Sequence, residues 1–195
     1  MIEELLKRED IEISKDKIEK FKEYIEILKK WNRVHNLTAL ESDIQIAKNI
    51  IDSIYPVKFL TKPINFLDIG TGAGFPGIFL AIIWDDIDSF LVEPRNKRAA
   101  FLQYLKVKLK LNNTNIIKKR VEEIKDIKAH LITSRAVSRA KDILKLSENI
   151  RSRECEILLY KGSEVKRDIL DLNGKVEYTI ITYTKRNYLW IKRCY

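Results

Sequence analysis

The sequence predicts an α/β fold: a mostly parallel seven-stranded sheet with an antiparallel C-terminal pair, preceded by N-terminal helices. Three observations predict it. Beyond residue 63, short β-rich runs alternate with helical ones, the pattern of right-handed βαβ crossovers with both sheet faces covered. Ahead of residue 63, apolar residues recur at helical spacing. Near the C-terminal end, two β-rich runs are joined by a short link, which permits an antiparallel hairpin but not a parallel crossover. The expected organisation is a helical segment over 1–62 packed on the core and a ligand-binding domain over 63–195, one compact unit overall.

The elements follow in order. Over 14–32, Ile18, Phe21, Ile25 and Leu28 share a wide stripe with Tyr24, Ile27 and Trp31, and lysines fill the polar positions. Residues 32–39 read as a breaker. Ser42-Asp43-Ile44-Gln45 then has the form of a capping box opening a helix through Ile54, and Pro56 and Pro63 punctuate its exit. Strands are expected over 64–69, 90–93, 115–117, 130–133, 156–160, 176–182 and 188–192. Helices are expected over 76–84, 97–111, 137–149 and 163–172. No internal repeat is evident.

Composition narrows the function classes. With 45% hydrophobic and 33% charged residues, the chain is neither a disordered tail nor a membrane protein. Its longest strongly apolar run, 78–84, falls far short of a membrane span. The opening residues mix acidic and basic side chains without an apolar core, so no signal peptide is read there and the cytoplasm is expected. Cys155 and Cys194, read as structural and reduced, form no Cys-x-x-Cys, and His35 and His130 lie far apart, so no metal site is expected. A formal charge of +9 favours a nucleic-acid partner or an anionic surface.

The most informative stretch is Phe66-Leu67-Asp68-Ile69-Gly70-Thr71-Gly72-Ala73-Gly74-Phe75-Pro76-Gly77. A buried strand ends, glycines turn, and a helix starts with Pro76 in its first turn. Two frames compete. Gly72-x-Gly74-x-x-Gly77, with Glu93 about 20 residues on, matches a dinucleotide fingerprint. Asp68-x-Gly70-x-Gly72-x-Gly74 places a carboxylate ahead of the glycines instead. Ligand charge favours the second, because a carboxylate would repel a pyrophosphate but welcomes the sulfonium and α-ammonium of S-adenosylmethionine. Glu93 could then accept bonds from both ribose hydroxyls. The expected architecture is a Rossmann-like class I methyltransferase; the alternatives are a methyltransferase acting on a small molecule or protein, and an oxidoreductase or non-catalytic nucleotide-binding module.

Trp31-Asn32-x-x-x-Asn36-Leu37-Thr38, Asp52-Ser53, the glycine loop, Arg120-Val121-Glu122, Ser134-Arg135-Ala136 and Lys161-Gly162 follow one another in order. Together they resemble the small-subunit (16S) ribosomal RNA guanine-N7 methyltransferase family, also called glucose-inhibited division protein B, over nearly the whole chain. The resemblance implies S-adenosylmethionine as cofactor and ribosomal RNA or the small subunit as partner, with no membrane and a monomeric protein. It implies that Gly70 and Phe75 line the cofactor pocket, that Val121 and Glu122 contact the adenine, and that Arg135 reaches the cofactor or the target. Asp68, Gly72, Gly74 and Glu93 complete the expected cofactor set. Where the family carries Gly and Pro ahead of its Lys-Gly segment, this chain has Arg151-Ser152-Arg153-Glu154.

Guanine N7 has a free lone pair at neutral pH, so its methylation needs alignment rather than a general base. That suits a sequence with no evident catalytic His or Cys. An extruded base would stack on Phe75 or Arg135, with Asn36 and Lys161 as polar contacts. Phosphate contacts are expected from Arg95, Lys97, Arg98, Arg139, Arg151 and Arg153. Trp31 reads as core, His35 as a cap or loop residue, and His130 carries no assigned role. Asn36 could equally cap a turn.

Overall fold

Ile2, Leu5 and Leu6 recur at helical spacing and are buried on one side of α1 (Ile2–Arg8), a short helix ahead of the stripe that starts at residue 14. The computed structural model describes residues 1–135, 137–172, 174 and 176–194, Cys194 by its backbone alone. Ala136 and the Cys194 side chain, both singled out in the sequence, lie outside the described residues. In α2 (Lys15–His35) the expected stripe buries Phe21, Tyr24, Ile25, Ile27 and Leu28. The helix stops where Asn36 turns left-handed, at φ 50°. The capping box opens α3 (Asp43–Ile54): the Ser42 hydroxyl accepts from the Gln45 amide at 3.3 Å, and the Gln45 side chain accepts from the Ser42 amide at 3.1 Å.

Strands and helices then alternate as β1 (Asn65–Ile69), α4 (Gly77–Ile83), β2 (Asp88–Val92), α5 (Asn96–Lys108), β3 (Thr114–Ile117), β4 (Ala129–Arg135), α6 (Ala140–Leu146), β5 (Arg151–Lys161), α7 (Val165–Asp171), β6 (Val176–Tyr183) and β7 (Arg186–Cys194). The sheet order is β3-β2-β1-β4-β5-β7-β6. The first five strands run parallel, while β7 is antiparallel to both β5 and β6. This is the seven-stranded mixed sheet expected from the sequence.

Strand alternation divides the core into two layers. Phe66, Leu131, Leu158 and Tyr188 face the layer made with α1 to α5, where Phe21, Tyr24, Ile50, Phe79 and Phe101 are buried. Leu67, Ile132, Ile157, Leu159 and Leu189 face the opposite layer, against Ala140 and Ile143 of α6 and Val165 of α7. Trp31 packs against Phe101 and Tyr104, at ring separations of 5.3 and 5.4 Å, so its reading as core holds.

Several boundaries shift by a few residues, and two of the differences matter structurally. The helix expected over 137–149 is split into α6 and a 3₁₀ turn, Glu148–Ile150. The strand expected over 156–160 begins earlier, at Arg151, which pairs with Ala129 at the amino end of β4. The extension carries Arg151 and Arg153 to the edge of the sheet opposite the ligand-binding one. They border a separate groove there, with Lys62, His130 and Arg193.

Candidate active site

Between β1 and β4 the strand order reverses, and in open α/β sheets the crevice outside the carboxyl ends at such a point receives the ligand. A cleft of about 970 Å³ opens there. Gly70, Thr71, Gly72 and Phe75 line it from the glycine loop, Glu93 from the end of β2, Val121 and Glu122 from the turn after β3, and Arg135 from the end of β4. Leu37, Thr38 and Ala39 close one side, and Arg95, Arg98 and Arg120 lie at its rim. Seven of the nine expected cofactor contacts (Gly70, Gly72, Phe75, Glu93, Val121, Glu122 and Arg135) are thus brought to one cavity by chain segments far apart in sequence, while Asp68 and Gly74 lie outside its lining.

Asp68 is fully buried behind the loop rather than facing the cleft. Its carboxylate accepts from the Thr133 hydroxyl at 2.7 Å and from the Gly77 amide at 3.1 Å, tying β1 to β4 and to the first turn of α4. Gly74 packs inward against Ile78 and Leu102. Glu93 does reach the cleft, where it also holds the loop: it accepts from the Gly72 amide and from the Arg95 amide, each at 3.0 Å. The Tyr24 hydroxyl of α2 donates to the Ala73 carbonyl at 2.6 Å, so an N-terminal helix anchors the same loop.

Gly77 shows how closely these parts fit. A Cβ there would lie 2.5 Å from Leu91, 2.6 Å from the Thr71 hydroxyl and 2.7 Å from the Asp68 carboxylate. Gly77→Ala is therefore expected to lower stability by roughly 1–3 kcal/mol, the usual cost of overpacking. A urea denaturation midpoint no lower than that of the wild type would contradict this.

Burial pushes the Asp68 carboxyl up to about 6, against the opposing pull of its hydrogen bonds from Thr133 and Gly77. A value raised above the ordinary carboxylate range means that the fold favours the protonated form. The associated stability is present in acid and is lost as pH rises through about 6. Asn mimics the protonated acid: its carbonyl can accept from Gly77 while its amide donates to a rotated Thr133 hydroxyl. Asp68→Asn is expected to be more stable than the wild type at pH 8 by roughly 2–3 kcal/mol, a margin that closes towards pH 4. Parallel denaturation curves at the two pH values test it, and a margin independent of pH would refute it.

Arg135 ends β4 with its guanidinium over the Phe75 ring, 4.6 Å from the centroid. It donates to the Asn49 side chain at 3.0 Å and faces Asp52 at 3.4 Å, both on α3. Arg186 holds the same Asp52 carboxylate at 3.0 and 3.1 Å, and the Tyr188 hydroxyl donates to it at 3.1 Å. The anionic partner that a cation at a strand end demands is thus supplied from within the protein. Burial lowers the Arg135 pKa from its ordinary value, and Asp52 opposes that shift.

Two expected contacts lie elsewhere. Asn36 is the exposed, left-handed cap of α2, beside the cleft-lining Leu37 and Thr38 but not itself in the lining. Lys161 donates to the Ser138 carbonyl at 2.7 Å and pairs with Asp168 at 3.2 Å, and Asp168 accepts from the Ala140 amide at 2.7 Å. It therefore secures the start of α6, next to Val137, which packs over Gly70. Arg139 pairs with Asp171 at 3.1 Å. Tyr24 and Asn49 were not singled out as site residues. Tyr24 sits on an apolar stripe and Asn49 on the polar side of its helix, and only the tertiary packing shows what the polar atom of each reaches.

Among the described residues no group of three or more His, Cys, Asp and Glu is placed to hold a metal ion, and no helix is long and apolar enough to cross a membrane. Residues 17–188 match the family model described as rRNA small subunit methyltransferase G. The chain is 40% identical over 193 residues to the ribosomal RNA small subunit methyltransferase G of Aliarcobacter butzleri, covering 98% of both chains. It is 39% identical to the enzyme of that name from Wolinella succinogenes, over 95% of this chain and 94% of that one. Among solved structures, a methyltransferase from Geobacter sulfurreducens superposes with a TM-score of 0.66 at 10% identity, over 87% of this chain and 90% of that one. A SAM-dependent methyltransferase from Aquifex aeolicus gives 0.61 at 14% identity, over 74% and 90%. These two establish likeness of fold.

Proposed function

Because the chain belongs to the rRNA small subunit methyltransferase G family, we propose that it transfers a methyl group from S-adenosylmethionine to N7 of a guanine in 16S ribosomal RNA. The observation that carries the cofactor assignment is the pairing of Glu93 with the Gly72 amide. In a dinucleotide site such a loop amide faces a pyrophosphate, whereas here it already serves a carboxylate, and a second carboxylate, Glu122, lines the same cleft. Two carboxylates repel a diphosphate but accept from ribose hydroxyls and from an ammonium group. The fit of S-adenosylmethionine is therefore chemical as well as spatial, since cofactor pockets commonly fall within about 300–1,000 Å³.

Glu93 would take the ribose, Val121 and Glu122 the adenine edge, and the Gly70–Gly72 turn the amino-acid end. When bound, S-adenosylmethionine supplies an electrophilic methyl group. The chain's own work is then to hold the base in line with it, and Phe75 with Arg135 above its ring offers a flat cationic surface for a base drawn out of its stack. Arg95, Arg98 and Arg120 at the rim would meet phosphates.

The test is transfer of labelled methyl from S-adenosylmethionine to small ribosomal subunits isolated from a strain lacking this protein. Label recovered as 7-methylguanine supports the reaction and its substrate. Absence of label from the RNA, with cofactor binding intact, would overturn the substrate and leave a methyltransferase acting on another molecule.

A further inference from the structure

A second groove, of about 540 Å³, lies between α1, α3 and the turn joining β6 to β7. Resting on the reading above, we propose that it holds the phosphate backbone of the RNA beside the nucleotide presented to the cleft. Its cations come from three regions distant in sequence: Arg8 from α1, which also pairs with Glu9 at 2.9 Å, Lys48 from α3, and Lys185 from the β6–β7 turn with Arg186 at the start of β7. The carboxylate in its lining, Asp52, is shared by Arg186 and Arg135 and so does little to offset the others. Lys48 and Lys185 are exposed and, among the described residues, make no ion pair. Phosphate oxygens of a polyanion are the ligands such a set recognises, and they are what ribosomal RNA presents along its length.

The groove is built rather than merely charged. Tyr183, at the end of β6, stacks on Tyr55 with ring centroids 3.9 Å apart, which fixes the turn against the segment that follows α3. Register pairs Tyr183 with Arg186, leaving a two-residue turn of Thr184 and Lys185 that presents the lysine from a rigid hairpin. The groove and the cleft also share a wall. Asn49 and Asp52 line the groove and contact Arg135, which lies over Phe75 and lines the cleft. A strand held by its phosphates in the groove is thereby one side chain from the cavity that would receive a base.

The second basic groove, at the opposite sheet edge with Lys62 and Arg193, interleaves its cations with Glu154 and Glu156 and supplies the control. The experiment compares Lys48→Ala/Lys185→Ala with Lys62→Ala/Arg193→Ala, reading methyl transfer to small subunits, direct binding of a 16S RNA fragment, and cofactor affinity across a salt series. The first variant should raise KM for RNA by about tenfold at moderate salt and lessen the salt slope by about 1.5, as expected for two lost phosphate contacts. Its kcat and cofactor affinity should be unchanged, and Lys48→Arg/Lys185→Arg should restore binding. The second variant should match the wild type. Unchanged KM and slope in the first variant, or equal losses in both, would overturn the groove assignment. If the wild type failed to methylate subunits yet bound RNA through Lys48 and Lys185, the groove would stand and the proposed reaction would fall. RNA binding indifferent to both lysines would sink the groove whatever the activity.

Discussion

Replacing Gly72 by valine is expected to abolish S-adenosylmethionine binding while leaving the protein folded. Gly72 sits in the left-handed region at φ +61°, which a β-branched residue enters at a cost of about 1–2 kcal/mol. The space around it is open, since the nearest heavy atoms to an added Cβ are the Arg98 guanidinium and the Gly70 carbonyl, each 3.9 Å away. The new side chain meets no wall of the protein and takes up room at the cleft lining instead. A loss of affinity on the order of 100-fold or more, about 3 kcal/mol, is the expected outcome. Calorimetric titration with S-adenosylmethionine measures it, and circular dichroism monitors the fold. Unchanged affinity would remove the glycine loop from the cofactor site. The contrast with Gly77→Ala is instructive, because there the added methyl collides with buried neighbours and stability bears the cost.

Arg135→Ala should lower kcat/KM by about 100-fold, as expected when a base-positioning surface is lost, with stability falling by no more than about 1–2 kcal/mol. The separation rests on Asp52. Removing one partner of a buried pair is usually severe because it strands the other charge. Here Asp52 keeps Arg186 at 3.0 Å and the Tyr188 hydroxyl at 3.1 Å, so no charge is left alone. What the variant does lose is the cation over Phe75. Steady-state kinetics on small subunits beside a thermal melt would decide the matter. Activity at the wild-type level would exclude Arg135 from the site, and loss of folding would show that Asp52 depends on it.

Periodicity made the fold legible. Every expected strand is present because alternation and short length are local properties, and the hairpin followed from the shortness of the link between β6 and β7. The amino end of β5 was not legible, since Arg151-Ser152-Arg153-Glu154 has polar side chains and pairs with β4 through its backbone. The cleft was legible where glycines and a strand-ending Glu93 mark it. Asp68 was placed at the ligand because its motif adjoins the loop, yet strand alternation turns its carboxylate inward to Thr133 and Gly77. Lys161 was read as a polar contact to the target base, and its partners, Ser138 and Asp168, are brought to it only by the packing of α6 and α7 on the sheet. Long-range polar pairs of this kind leave no spacing signature.

The carboxylate of Asp52 also sets an order of events. It meets Arg186 across 134 positions of chain, and between them comes Arg135. Closure of so long a loop comes late, since its entropy must be met before the contact repays it. As the chain leaves the ribosome, the glycine loop and β1 to β4 can assemble while Asp52 still lacks the arginine that will share it. Only after β7 is delivered and paired to β5 does Asp52 acquire both cations, and Arg135 its final environment beside Phe75. Completion of the wall at Arg135 is thereby deferred until β7 has paired with β5, and a chain lacking β7 would carry a formed glycine loop with Asp52 still short of one arginine.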